Sequence, residues 1–198
     1  MKPGVFDVIV VGGGHAGVEA ALAAKRVGVS VALITMNPQT IGRMSCNPSI
    51  GGLAKGQMVR EIDALGGVMG LAADTTGTQY KLLNKSKGRA VWSPRAQVDK
   101  REYEKFIKRY LQNKNVTTIE GEAVSPAVNE GAVLGVNMSN NEQLLCKKLI
   151  LTNGTFLNGL LHIGDKKIPA GRMGEVRSEG ITEALNSLGL KSGRLKTG

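Results

Sequence analysis

The stretch Gly12-Gly13-Gly14-His15-Ala16-Gly17 has residue types and spacing suited to seating a phosphate group against bare backbone. Gly12 permits a tight turn, Gly14 leaves room for the phosphates, and Gly17 lets a following helix lie close to the preceding strand. A helix amino end at that place offers free N–H groups and a partial positive charge to phosphate oxygens. His15, inside the turn, could reach a phosphate or a ribose, or simply begin the helix. A second candidate is Cys46, whose thiolate would be favoured modestly by Arg43 and by a helix opening after Gly51-Gly52. The alternative for Cys46 is a small side chain packing a tight loop. A third group, Lys81, Lys85, Lys87, Arg89 and Arg95, sits in a stretch rich in Gly and Ser, where backbone and charge together suit phosphate binding.

The charge is unevenly placed. Of the net charge of +10, residues 81–114 supply most, with eleven basic side chains against Asp99, Glu102 and Glu104. A concentrated excess of this kind points to a polyanion, nucleic acid first, although a solvated helix face carries the same composition. Cys46 and Cys146 make neither a disulfide framework nor a zinc pattern, so a reducing cytoplasm is expected. His15 and His162 are scattered, and no metal site is expected. No apolar run reaches the roughly 18 residues that span a bilayer, and the start runs directly into a strand with no room for a signal peptide.

The glycine turn works only between a buried strand and a helix. Residues 6–11 form an apolar run, and residues 15–27 carry apolar side chains at helical spacing up to Gly28. Residues 29–35 are β-branched and alternating, as a second parallel strand should be. The acidic residue expected about 20 positions past the turn, to hold a ribose hydroxyl, is replaced by Thr35, Met36 and Asn37, of which Thr35 or Asn37 could still bond the ribose. A loop at 37–52 leads to a helix at 53–65, with Met58, Val59, Ile62 and Leu65 facing inward. Residues 70–95 give no firm pattern beyond short extended pieces around Leu82, Leu83, Val91 and Trp92. Asp99 and Glu102 make a capping-box pattern before a helix whose apolar stripe is Tyr103, Phe106, Ile107, Tyr110 and Leu111. A third parallel strand at 116–120 is followed by strands at 122–128, 133–138 and 143–151, an antiparallel meander leading into a buried strand that ends at Thr152-Asn153-Gly154. A last helix is predicted over 178–188. The fold class is therefore α/β: an FAD/NAD(P)-binding Rossmann-like domain with a parallel sheet plus an antiparallel β-meander at about 121–147, all within one domain, residues 1–198.

Several motifs then coincide in order. The glycine turn is followed by Ser45-Cys46-Asn47-Pro48-Ser49-Ile50-Gly51-Gly52, Glu61-Ile62-Asp63-Ala64-Leu65-Gly66-Gly67 and Arg95-Ala96-Gln97. Gly154-Thr155-Phe156-Leu157 and the closing Gly193-Arg194-Leu195-Lys196-Thr197-Gly198 complete the set. Together they resemble the amino-terminal part of the glucose-inhibited division protein A family, the flavin subunit of the tRNA uridine 5-carboxymethylaminomethyl modification enzyme. The resemblance implies FAD as cofactor and NADH as reductant. It implies tRNA, methylene-tetrahydrofolate and a GTPase subunit as partners, and a homodimer. Gly12, Gly13, Gly14, His15, Ala16 and Gly17 would hold the FAD pyrophosphate, and Val124 and Ser178 fall where the family contacts FAD. Cys46 would lie near the isoalloxazine, where a thiolate could add to carbon 6 of a uracil and activate carbon 5. On the same resemblance the basic group becomes a tRNA-binding candidate. Members of that family are several times longer. The chain is therefore expected to be a fragment without the nicotinamide-binding insertion and the carboxyl-terminal helical region, and inactive alone. Two other classes stay open, a stand-alone FAD or NAD(P) oxidoreductase of a small molecule and a non-catalytic nucleic-acid-binding module.

Overall fold

The computed structural model describes residues 4–194; residues 1–3 and the 195–198 part of the closing motif lie outside the described residues. The chain begins with β1 (Phe6–Val11), α1 (His15–Arg26) and β2 (Val31–Thr35), close to the expected bounds. Both strands are apolar because both sheet faces are covered. Successive strand residues point to opposite sides, so Val10 and Leu33 enter one core while Ile9, Val11, Ala32 and Ile34 enter the other. The first core is closed by α1 (Val18, Leu22) and by the stripe of α4 (Lys100–Asn113), with Tyr103, Ile107 and Leu111 buried. The second is closed by β7 (Ala123–Asn129), β8 (Ala132–Met138) and α5 (Ile181–Ser187), through Ala123, Val136, Met138 and Ile181.

With β6 (Thr117–Glu120) and β9 (Gln143–Leu151), the main sheet runs in the order β6-β2-β1-β9-β8-β7. β6, β2, β1 and β9 are parallel neighbours, and β7, β8 and β9 form the antiparallel meander. β9 is one unbroken strand with two duties. Gln143 to Leu145 pair with β8, and from Cys146 onward the strand runs alongside β1. Cys146 is accordingly buried in the second core.

Between α1 and α4 the structure departs from expectation. The loop at 37–52 contains β3 (Ser49–Gly51), and the unassigned region holds α3 (Met69–Thr76), β4 (Gly77–Leu83) and β5 (Ser93–Val98). These strands make a separate sheet in the order β3-β5-β4. Val91 lies in a 3-10 turn, Arg89–Val91, and not in an extended piece. α2 (Lys55–Ala64) is present with Val59 packed on the first core and Ile62 half-buried, but Met58 and Leu65 are 58% and 79% exposed. The helix instead presents Gly56 to β5, so closely that a Cβ there would stand 2.5 Å from the Pro94 carbonyl oxygen. Gln57 fixes the same face, donating to the Trp92 carbonyl at 3.2 Å and accepting from Ser93 Oγ at 2.9 Å.

Capping also differs from the sequence pattern. Asp99 accepts from the N–H groups of Arg101 and Glu102 at 2.8 and 2.9 Å. The return bond of a capping box is absent: Asp99 N–H donates to the Thr76 carbonyl at 2.9 Å, and Glu102 pairs with Lys105 at 2.8 Å. α3 has Val68 at its cap position and takes its cap from elsewhere. The Glu19 carboxylate on α1 accepts from Val68 N–H at 2.9 Å and from Met69 N–H at 2.7 Å. A final hairpin, β10 (Leu160–Ile163) and β11 (Lys166–Pro169), was not anticipated. α5 begins at Ile181 behind Gly180, so Ser178 lies in the extended segment before the helix and not at its amino end.

Candidate functional site

The carboxyl ends of β1, β2 and β9 and the amino end of α1 open into a cavity of about 590 Å³, within the range of small-molecule and cofactor sites. Four glycines shape its floor, each for its own reason. Gly12 has φ +111°, and a Cβ there would stand 2.5 Å from the Thr152 carbonyl oxygen at the end of β9. A Cβ on Gly13 would come within 2.9 Å of Thr35 Oγ1 and 3.0 Å of Ile41 Cγ1. On Gly17 it would run into the Gly12 carbonyl oxygen, so α1 crosses β1 at backbone contact. Gly14 is different: nothing lies within 4 Å of its Cβ position, which leaves the cavity side of the turn unobstructed.

α1 therefore starts with no side chain bonded to its first N–H groups, no acidic residue in its first turn, and Lys25 and Arg26 in its last. Uncapped amides and the helix dipole both face the cavity, an arrangement that favours an anion.

The walls carry the two residues offered for a ribose, Thr35 and Asn37, and polar groups that the sequence pattern did not single out. At the end of β2, Thr35, Met36 and Asn37 all line the cavity; Asn37 Oδ1 accepts from Gln39 N–H at 2.8 Å, and Thr35, 8% exposed, stands beside Gly13. Gly121 N–H donates to the Thr35 carbonyl at 2.9 Å, which sets Glu122 beside the end of β2 and into the cavity lining. A carboxylate is thus present near the place where β2 lacks one, supplied by the neighbouring segment. Asn153, just past β9, also lines the cavity, and its Oδ1 is buried without a hydrogen-bond partner among the described residues. At the rim, Arg43 Nη1 lies 3.1 Å from Glu175 Oε1, Arg172 donates to Ser45 Oγ, and the Arg172 guanidinium stands 5.0 Å from the Phe156 ring centre.

The structure brings Gly12, Gly13, Gly14, His15, Ala16 and Ser178 together in this lining. Gly17 lies beneath it. Ser178 is 3% exposed and pinned by backbone bonds to Phe156 at 2.9 Å and Asn158 at 2.8 Å. Val124 is outside the lining; its neighbour Ala123 faces the cavity, and its carbonyl backs onto Gly180. Cys46 is exposed and also outside the lining, next to the Ser45 that Arg172 holds. Arg43, expected to favour a thiolate there, is paired with Glu175 and approaches Glu104 at 4.0 Å. Lys81 and Arg95 stand opposite each other on β4 and β5, and Lys85, Lys87 and Arg89 occupy the turns that join them. None of the five is in an ion pair among the described residues.

His15 turns its ring onto Tyr103 of α4, with ring centres 5.7 Å apart. Burial, and then the charge of Arg172, hold its pKa below the ordinary histidine value.

Residues 7–198 match the family described as Glucose inhibited division protein A. The tRNA uridine 5-carboxymethylaminomethyl modification enzyme MnmG of Aquifex aeolicus is 52% identical over 194 residues, covering 98% of this chain and 31% of the relative. The protein of the same description from Cytophaga hutchinsonii is 52% identical over 194 residues, with the same coverage. The chain thus spans about a third of the length of these curated relatives. Among solved structures, Aquifex aeolicus GidA in its form I crystal superposes with a TM-score of 0.88 at 51% identity, over 93% of this chain and 31% of that one. The flavin-dependent brominase Bmp2, 20% identical, superposes with a TM-score of 0.53 over 76% of this chain and 38% of that one, and shares the fold alone.

A depressed His15 pKa means that the folded chain binds fewer protons than the unfolded one below about pH 6.5. Stability attached to neutral His15 is present above that pH and is lost as pH falls. Melting temperature should therefore drop between about pH 7.5 and 5.5, and His15→Gln should flatten that slope; an unchanged slope in the variant would remove His15 from the effect.

Proposed function

The chain belongs to the glucose inhibited division protein A family, and on that premise we propose that it is the FAD-binding part of a tRNA-modifying enzyme. Family membership over residues 7–198, together with a glycine-floored cavity at the carboxyl ends of parallel strands, carries the reading. The residues present fit the cofactor. The open face of Gly14 and the uncapped amides of α1 suit a diphosphate, and the cavity continues from there past Asn153 and Phe156 to Ser178.

In this reading Gly12 to Gly17 seat the pyrophosphate, Ser178 contacts the cofactor from the far wall, and Val124 contributes through its backbone. FAD, when bound, would supply the two-electron chemistry by which a one-carbon unit passes from methylene-tetrahydrofolate to carbon 5 of the wobble uridine, with NADH as reductant. A GTPase subunit, a homodimeric assembly and a cytoplasmic setting belong to the same proposal. It treats residues 1–198 as one cofactor-binding domain, with the nicotinamide site and the partner-docking region in other parts of a longer protein. Cys46 is the proposed nucleophile toward the uracil ring, on an exposed loop whose neighbour Ser45 is tied to the cavity rim by Arg172. Lys81, Lys85, Lys87, Arg89 and Arg95 are the proposed tRNA contacts, a cluster of cations on one hairpin and its turns.

Four outcomes test these assignments. The purified chain should bind FAD, followed by the flavin absorption spectrum. Gly14→Ala should weaken that binding at least tenfold while lowering the ligand-free melting temperature by no more than about 3 °C, since only a helix cap is impaired. Changing Lys81, Arg89 and Arg95 together to Gln should weaken tRNA binding and reduce the slope of log affinity against log salt by about 2 to 3. An unchanged slope would make the hairpin an ordinary solvated surface. Cys46→Ser, placed in a full-length protein that carries this segment, should abolish uridine modification; undiminished turnover would take the thiol out of the mechanism.

A further inference from the structure

The small sheet β3-β5-β4 has one covered face and one open face, and its register decides which side chains stand on each. Ile50, Ala96 and Tyr80 are cross-strand partners. Ile50 is buried in the first core, Ala96 packs against that core, and the Tyr80 hydroxyl donates to the Asp74 carbonyl of α3 at 3.1 Å. This row therefore lies on the covered face. Side chains alternate along a strand, so the rows on either side of it point the other way. One holds Ser49, Gln97 and Gln79, and the other Gly51, Arg95 and Lys81. Gln79 and Lys81 are exposed, and Gln97 and Arg95 half-buried. The open face ends at Ser93, which is buried with its hydroxyl on Gly52 and Gln57.

Among the described residues, Lys81 and Arg95 are in no ion pair. Thr78 Oγ1 donates to the Gln97 carbonyl at 3.2 Å, a bond to backbone that leaves the side-chain amide uncommitted. Directly opposed residues of an antiparallel pair stand about 5 Å apart at Cβ, so the Gln79 and Gln97 amides adjoin each other and the two cations beside them. Gly51 adds no side chain next to Arg95 on the β3 side. An amide offers both donors and an acceptor, which suits the edge of a base, while Arg and Lys suit phosphate. An acidic protein surface would engage the cations and leave the amides idle. Single-stranded RNA displays unpaired base edges and phosphates together. We propose that this face takes a short single strand of RNA, with the Gln79–Gln97 pair on the edge of an unpaired base and Arg95 and Lys81 on the adjoining phosphates. The proposal rests on the tRNA reading above and adds to it a base contact made by uncharged residues. Ser49 Oγ donates to Asn47 Oδ1 at 2.6 Å, which ties the amide row to the loop that carries Cys46.

The experiment uses the 198-residue chain. Fluorescence anisotropy at several salt concentrations gives its affinity for labelled tRNA, for an oligouridylate and for an abasic ribose-phosphate strand of the same length. The wild type should hold the oligouridylate about 3- to 10-fold more tightly than the abasic strand, the scale of one net hydrogen bond. Gln79→Met with Gln97→Met, similar in length but without amides, should erase that ratio and leave the salt slope unchanged. Lys81→Gln with Arg95→Gln should keep the ratio and lower the slope by about 1.4 on either strand. A ratio that survives the Met pair would overturn the proposal. So would a wild type that does not distinguish the two strands, or one that binds polyglutamate as tightly as oligouridylate. Should the Met pair not fold, Gln79→Ala with Gln97→Ala carries the same test with the same readings. Absence of tRNA binding by the wild type would overturn the tRNA contacts and this proposal together. Binding of tRNA with no dependence on the base would overturn this proposal alone.

Discussion

One contact governs the architecture, the meeting of α1 with the end of β1 at the distance of bare backbone. Gly17 sits over the Gly12 carbonyl with no space for a methyl group, and Gly12 in turn sits against the Thr152 carbonyl of β9. Two consecutive elements, β1 and α1, and the end of β9, distant in sequence, are thereby pressed together at one point, at the centre of the parallel strands. That pressing decides where the first turn of α1 points, and leaves its amides open where a side-chain cap would otherwise stand. Thr152 reinforces the joint through its hydroxyl bond to Val11. A larger residue at Gly12 or Gly17 would part the helix from the sheet and tilt the amides away, so the anion seat and the packing of the first core are one constraint.

The parts of the fold legible in the sequence are those whose signals are local. β1, β2, α4 and the meander announce themselves by apolar runs, helical spacing and a good N-cap, and Tyr103, Ile107 and Leu111 of α4 are buried where the spacing puts them. α3 was not legible because its cap is tertiary: the carboxylate comes from Glu19, on another helix, and the residues at its own start offer none. On α2 the apolar spacing holds for Val59, packed on the first core, and for half-buried Ile62, but not for Met58 and Leu65, since the buried face is also chosen by Gly56 against Pro94 and by the polar contacts of Gln57. An apolar count along the helix has no access to that choice.

The site shows the same division. The glycine turn could be read because its spacing between a buried strand and a helix is a local pattern, although Gly12 and Gly13 meet Thr152, Thr35 and Ile41 from afar. Glu122 could not, because its place beside β2 depends on the bond from Gly121 to Thr35 across neighbouring strands. The strand order that makes them neighbours is a property of the whole sheet. Asn153 was visible only as the residue after a buried strand; its place in the cavity lining follows from the assembled sheet.

The loop between β2 and β3 joins the two halves of the proposed work. Its near end is fastened to the anion seat, with Gly42 N–H donating to the Gly13 carbonyl at 3.0 Å and Ile41 packed on Gly13. Its far end, Ser49 to Gly51, is paired to β5 at Gln97 and Arg95. Between these fastenings stand Ser45 and Cys46, and Arg172 reaches across the cavity rim to Ser45. Residues 41–51 therefore run from the phosphate turn to the strand bearing Arg95 with a fastening at each end. The cavity and the basic hairpin lie on separate sheets, yet one stretch of chain is tied to both.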